Sequence, residues 1–492
     1  MKLKTIALLV ASLAASTTAF AGVTPAQIEN ARIAGTLDQV FITGASAPTK
    51  SIYEGFVGSG TSVGCDPTTQ SIFTKQVATN TTPGSLDNVL GYACTRGTRT
   101  IAVYHTVSGG SLTAYTPHTK NAQIERLRFL GNPCTLGPFS YVDSSNTNNN
   151  ATVYKGCTGL TGAQGVSEVA GNPGKPAGGF SDVEAALFTQ TIGGGDVTSF
   201  GTESDAFLGQ AFGLVVSTNL YRALQTAQGI VLPAVGQPNA GDTSFDPALA
   251  PNITKAQYAS IATSSIGSVY QTDWSAILGT TGVGKKVVLH RRVDTSGTQA
   301  ASNAFFLAAP CAEGKAANLN PASITDNSPG VFEVTENSGT SDVKKGITAA
   351  GLAGFFAIGV VSAENDWRLD PTDRNGYRFV KIDGVHPEAL DVSNARNTAV
   401  NGSYAFHMEL KTFVAKTANA FGAALINQIA ANLNNPQTAA CAVLPRGLTL
   451  NPNNPAYGTN SPVGSRCVIG DIGQVAKGTN DGNNCKPQVL VF

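Results

Sequence analysis

The sequence predicts an α/β protein built from more than one lobe, and three observations carry that reading. Strand-like and helix-like segments alternate along the chain, as they do in α/β architectures. With residues 1–21 set aside, about 470 residues remain, more than one ordinary hydrophobic core organises. Several β-branched runs end in Gly/Ser turns that lead into helical spacing.

Val40–Thr43 reads as a strand entering a Gly-Ala-Ser turn, and Ile52, Tyr53 and Phe56 then give Thr49–Phe56 helical spacing. Thr100–Val107 reads as a buried strand ending in Ser108-Gly109-Gly110-Ser111. Gly213–Ser217 and Lys286–His290 are further strands. Thr254 is placed to cap a helix over Ala256–Ile261. Ser302–Leu307 continues a helix begun near Thr298, and Thr412–Leu433 is expected to be one long amphipathic helix. Residues 112–178 and 434–492, rich in Asn, Gly and Pro, read as additions to a compact core.

Residues 1–21 read as a secretory-type leader: Lys2 and Lys4, a short apolar core from Ile6 to Leu13, and Ala19-Phe20-Ala21 as a cleavage site. The mature chain is expected to start at Gly22, with no cysteine there to carry a lipid anchor. No later stretch offers about 18 uninterrupted apolar residues, so no membrane insertion is expected. The expected location is periplasmic or secreted. The chain carries 32 basic and 32 acidic residues, and the leader takes away Lys2 and Lys4. Neither the basic excess of a nucleic-acid binder nor a basic membrane-surface composition is present.

An exported chain with eight cysteines favours disulfides (Cys65, Cys94, Cys134, Cys157, Cys311, Cys441, Cys467 and Cys485). Proximity in sequence suggests Cys65–Cys94, Cys134–Cys157 and Cys467–Cys485, leaving Cys311 with Cys441. No C-x-x-C pair points to a zinc or redox site.

The segment Arg292-Val293-Asp294-Thr295-Ser296-Gly297-Thr298 carries the sharpest chemical signal. A strand, a Ser-Gly-Thr turn and a helix start gather free N–H groups with two hydroxyls, and Arg292 adds a guanidinium fork suited to a tetrahedral oxyanion. The same residues also suit an ordinary capped helix with a surface arginine. Ser108 and Gly109 lie in a turn that lets backbone approach a ligand, or is merely glycine-rich. Asp182 follows Phe180-Ser181 and precedes the apolar Val183–Phe188. It either caps a helix there or accepts a hydrogen bond from a protonated ligand oxygen. Ser46 and Thr49 sit in the first strand-to-helix turn.

Taken in order, ITGASAP, SGGS, FSD and RRVDTSGTQ resemble the ligand loops of the phosphate-binding protein of bacterial phosphate ABC transporters. ITKAQYASI, TDWSAIL, AIGVVSAEN, VKIDGV and NGSYAF also look like that family. The resemblance implies a two-lobed type II periplasmic-binding-protein fold, joined by two crossing strands, with the ligand between the lobes. It implies that Arg292, Ser296, Gly297 and Thr298 hold phosphate from one lobe. Ser108, Gly109 and Asp182 would hold it from the other, with Ser46 and Thr49 nearby. It implies residues 22–212 as the first part of lobe 1, 213–375 as lobe 2, 376–433 as the return, and 434–492 as an extension. An ABC permease is the implied partner. The first loop departs from the family's Thr-Phe-Pro run, reading Ala47-Pro48-Thr49-Lys50, so Lys50 could supply charge instead.

Two rival readings stay open. Gly60-Thr61-Ser62-Val63-Gly64 fits a hydrolase elbow, but Pro67 blocks the helix that should follow. His105, His118, His290, His386 and His407 form no metalloenzyme pair, and no cofactor or enzymatic role is expected. Glu364, Asp366, Asp370 and Asp373 lack EF-hand spacing and read as a solvated loop. The other rival is an extracellular matrix, adhesive or filament-forming protein that reuses the phosphate-binding fold.

Overall fold

The computed structural model describes residues 22–57, 65–66, 68–77, 88–143, 146–160, 175–233, 245–263, 273–311, 332–369, 371–433, 444–453 and 475–490. Residues 1–21, where a leader is expected, the Gly60–Gly64 pattern, Asp370, Cys441 and Cys467 lie outside them.

The first half of one large sheet contains β1 (Leu37–Gly44), β2 (Ser71–Thr74), β3 (Val89–Arg96), β4 (Arg99–Thr106), β5 (Leu136–Asp143), β6 (Asn146–Lys155) and β7 (Gly178–Ser181). The 17-residue β8 (Gly201–Ser217) runs out of it. The second half contains β9 (Val287–Arg292), β10 (Phe332–Asn337), β11 (Phe356–Ser362) and β12 (Tyr377–Phe379). β13 (His407–Ala415) and β14 (Leu448–Leu450) return to the first half. The strand order is β10-β9-β11-β8-β13-β7-β1-β4-β3-β2-β6-β5, with β12 and β14 also paired to β8. Helices α1 (Thr49–Val57), α2 (Lys255–Thr263), α3 (Gly297–Leu307), α4 (Thr340–Leu352) and α5 (Ala420–Leu433) follow or flank these strands.

β8 is where one lobe passes into the other. Gly201–Asp205 and Gly209–Ala211 pair with β13 on either side of a register shift, and Phe212–Val216 then pair with β11. Ala206 and Leu208 pack into one core, and Phe212, Leu214, Val215 and Val216 into another. The return path is not a second long strand but the irregular segment 383–406, which contains a short helix at Asn397–Val400. The fold is thus α/β and two-lobed, with parallel β1, β4 and β7 on one side and parallel β9, β10 and β11 on the other.

Several expectations are corrected. Thr412–Leu433 is not one helix: Thr412, Phe413 and Val414 belong to β13, which pairs with β7 and β8, and helix α5 starts only at Ala420. A short apolar run buried between two strands has no period that separates it from a helix. Val183–Phe188 holds only a 3-10 turn over Ala185–Leu187, so Asp182 caps no helix there. Beyond 376, β12 pairs with the same end of β8 as β11 does, and β13 pairs with the rest of it. Residues 112–178 are more than an appendage, since β5 and β6 extend the first-lobe sheet beyond β2.

The Cys65–Cys94 and Cys134–Cys157 bonds form as the spacing suggests. Cys485, however, bonds Cys311 rather than Cys467, which also excludes Cys311–Cys441. Folding brings these two Cα atoms to 5.2 Å across a separation of 174 residues, which sequence proximity cannot reveal. Two members of the acidic cluster are paired rather than solvated: Asp366 with Arg368, and Asp373 with Lys344. Beside it, Glu388 is buried between Arg368 and Arg446, and Arg378 is stacked between Trp367 (3.5 Å) and Phe245 (4.0 Å).

Candidate functional site

The site forms where strands end. Parallel β1, β4 and β7 deliver their carboxyl ends to one edge, and β9 delivers its end from the other lobe, the usual position for ligands of open α/β sheets. Gly109 and Gly110 follow β4 with φ of 91° and 78°, a left-handed reversal that suits glycine. That reversal leaves Ser108 and Gly109 exposed at the tip and turns Ser111 inward, fully buried. The Thr43 hydroxyl donates to Thr113 O at 2.8 Å, and the Thr113 hydroxyl donates to Gly110 O at 2.7 Å, which fixes this loop to β1.

Asp182 follows β7 directly and is 2% exposed. Its N–H donates to Ser111 Oγ at 3.3 Å, and its Oδ1 is buried without a hydrogen-bond partner among the described residues. Burial pushes its carboxyl up to about 6, against the opposing pull of the Ser111 hydroxyl and the Arg292 charge. Glu203 ties the two first-lobe loops together: its Oε1 accepts from Tyr115 OH at 2.6 Å and from Ala185 N at 2.8 Å.

From the second lobe, Arg292 is the last residue of β9 rather than part of the following loop. Its N–H donates to Gln299 Oε1 at 2.9 Å, its Nη1 to Thr340 Oγ1 at 2.8 Å and its Nη2 to Ser338 O at 3.0 Å. Its Nε is buried and has no partner among the described residues. Burial lowers the guanidinium to about 10, while Asp182 and then Asp342 pull it back up. Helix α3 begins at Gly297 with Ser296 as an N-cap whose side chain makes no capping bond, so the first-turn N–H groups keep their donor capacity. Ser296 and Thr298 are buried beside them.

The two lobes meet at this point. Leu112 N donates to Thr295 O at 3.1 Å. A Cβ placed on Gly297 would lie 2.1 Å from Ser111 Oγ and 2.6 Å from Asp182 Oδ2, so only glycine allows this approach. The structure therefore brings together Asp182, Arg292, Ser296, Gly297 and Thr298, and adds Ser111, which sequence reasoning passes over in favour of Ser108. The SGGS turn contains both serines, but nothing in four residues says which one the glycines turn inward.

Ser46 is half-buried at the end of β1, where Ala45 N donates to Phe180 O at 2.7 Å. The Thr49 hydroxyl is taken by Ser46 O at 2.6 Å, a local turn bond at the start of α1. The side chain of Lys50 is outside the described set. Four of the histidines are buried within the fold: His105 beside Tyr92, His290 near Asn337, His386 against Phe379 O, and His407 against Thr449.

No known family model matches the chain, and no curated protein matches it. Among solved structures, it is similar to a putative phosphate ABC transporter substrate-binding protein with bound phosphate from Clostridium perfringens. The identity is 12%, the coverage 80% of this chain and 93% of that one, and the TM-score 0.35. It is also similar to an ABC-type phosphate transport receptor from Vibrio cholerae, with 12% identity, coverage of 51% and 72%, and a TM-score of 0.26. At that level of similarity neither assigns a function to this chain.

Proposed function

We propose that this chain is an exported solute-binding protein that holds a tetrahedral oxyanion, phosphate first among them, between its two lobes. One observation carries the reading: a buried carboxylate with an unpartnered oxygen and a buried arginine with an unpartnered Nε, among the described residues, share an interlobe site with an uncapped helix start. Buried polar groups in folded proteins find partners, and groups that do not are candidates for a ligand's place. A hydrogen phosphate satisfies each of them. Its anionic oxygens accept from Arg292, the α3 N–H groups and the Ser111, Ser296 and Thr298 hydroxyls, while its P–OH donates to Asp182. Sulfate has no proton near neutral pH, so it would face the ionised Asp182 as an uncompensated like charge. Phosphate uptake through an ABC permease is the corresponding cellular role.

Calorimetric titration tests this reading. Phosphate is expected to bind, to raise the melting temperature, and to bind more tightly than sulfate. Arg292→Ala should weaken binding, and Asp182→Asn should narrow the preference over sulfate. Equal affinities for the two anions in the parent protein would refute the role given to Asp182.

A further inference from the structure

The described tail, residues 475–490, crosses from one lobe to the other beside the site. Its loop wraps Glu409 of β13, which is 1% exposed. Glu409 Oε1 accepts from Thr479 Oγ1 at 2.6 Å and from Asn480 N at 3.0 Å, and Oε2 accepts from Gly482 N at 2.8 Å. Lys411 Nζ donates to Gly482 O and pairs with Asp205. Asn484 continues the attachment. Its N and Nδ2 donate to the two carboxylate oxygens of Glu184 at 2.8 and 2.6 Å, and its Oδ1 accepts from Glu409 N at 2.7 Å. Glu184 stands two residues beyond Asp182, so the tail is bonded to the loop that carries the site's carboxylate.

The next residue, Cys485, is covalently bonded to Cys311. Cys311 lies four residues beyond α3, the helix whose first turn supplies Ser296, Gly297 and Thr298. Charge-assisted hydrogen bonds therefore fix the tail to the first lobe, and a disulfide fixes it to the second. A binding protein of two lobes releases its ligand by opening, and this tie spans the two bodies that must part.

We infer that the C-terminal tail is a covalent brace that restrains lobe opening and so slows exchange of the bound anion. The ligand part of this inference rests on the proposed function; the brace itself does not. The full chain is loaded with radiolabelled phosphate and chased with unlabelled phosphate, with Cys311 and Cys485 intact, after mild reduction, and as the Cys311→Ser/Cys485→Ser double variant. Release is expected to quicken by at least about tenfold without the bond, the factor that ~1.4 kcal/mol in the closed-to-open balance produces. Release rates that agree within about twofold, less than ~0.5 kcal/mol by the same conversion, overturn the brace. Small-angle scattering in phosphate-free buffer gives a readout that needs no ligand. The radius of gyration should grow on reduction of the parent protein, whose fold is checked by circular dichroism, and an unchanged radius overturns the brace. If no form retains phosphate, the anion reading fails, and scattering alone decides the brace.

Discussion

Replacing Asp182 with asparagine isolates the energetic tension at the site. Burial raises this carboxyl to about 6 from an ordinary value near 3.8, so the folded protein resists its ionisation. The sign follows from linkage. The unfolded chain releases this proton at lower pH than the folded one, so stability falls as pH rises between the two values and is level above the higher one. A shift of roughly two units corresponds to about 3 kcal/mol. The amide of the Asp182→Asn variant has no such proton, so the stability of the parent protein minus that of the variant should fall by about 2 kcal/mol, most of that total, between about pH 4 and pH 7. Urea denaturation at a series of pH values in acetate and HEPES buffers free of phosphate and sulfate measures it. Taking the difference cancels Glu184, which burial also raises and which both proteins keep. A difference that is flat, or that grows with pH, would refute the claim that Asp182 is an under-compensated buried carboxylate.

Two further substitutions test other parts of the account. Gly297→Ala places a methyl 2.1 Å from Ser111 Oγ and 2.6 Å from Asp182 Oδ2, so Ser111 and Asp182 must shift to admit it. It should cost about 1–3 kcal/mol of stability and weaken phosphate binding by at least about tenfold, read by melting and calorimetry. Undiminished affinity would show that the helix start does not touch the ligand. Glu388→Gln removes the buried carboxylate that Arg368 and Arg446 share and leaves them Asp366 alone, so it should cost about 1–3 kcal/mol at pH 7, read from the urea midpoint. Burial raises the Glu388 carboxyl, but Arg446 and Arg368 hold it well below the usual range. Its contribution is therefore present above its ordinary value near 4.5 and is lost as pH falls towards the depressed one, so the parent and Glu388→Gln should converge in acid. Equal stabilities at pH 7 would contradict the role given to this pair.

What the sequence makes legible, and what it does not, follows from range. Strand-turn-helix units announce themselves locally. β1 with α1, β4 with its glycine turn and β9 with α3 are all visible, because β-branched runs, paired glycines and an N-cap serine act over a few residues. The Thr254 cap is of the same kind, its hydroxyl accepting from Gln257 N at 3.1 Å. Asp182 and Arg292 are legible as chemistry, but their shared site is not, because it depends on two lobes touching through Gly297 and Gly110. The end of β13, from Thr412, reads as helix because burial on both faces erases the alternation that marks a strand. The Cys311–Cys485 bond and the Asn484–Glu184 contact join residues 174 and 300 positions apart, and no local pattern carries such information.

Crystals of the protein grown with phosphate put the shared interlobe site to its sharpest test. One tetrahedral density is expected between the lobes, within hydrogen-bond distance of Asp182 Oδ1, the Arg292 guanidinium and the Ser111 and Thr298 hydroxyls. A site between Asp182 and Arg292 with no such density, at a phosphate concentration that saturates any binding seen in solution, would contradict it.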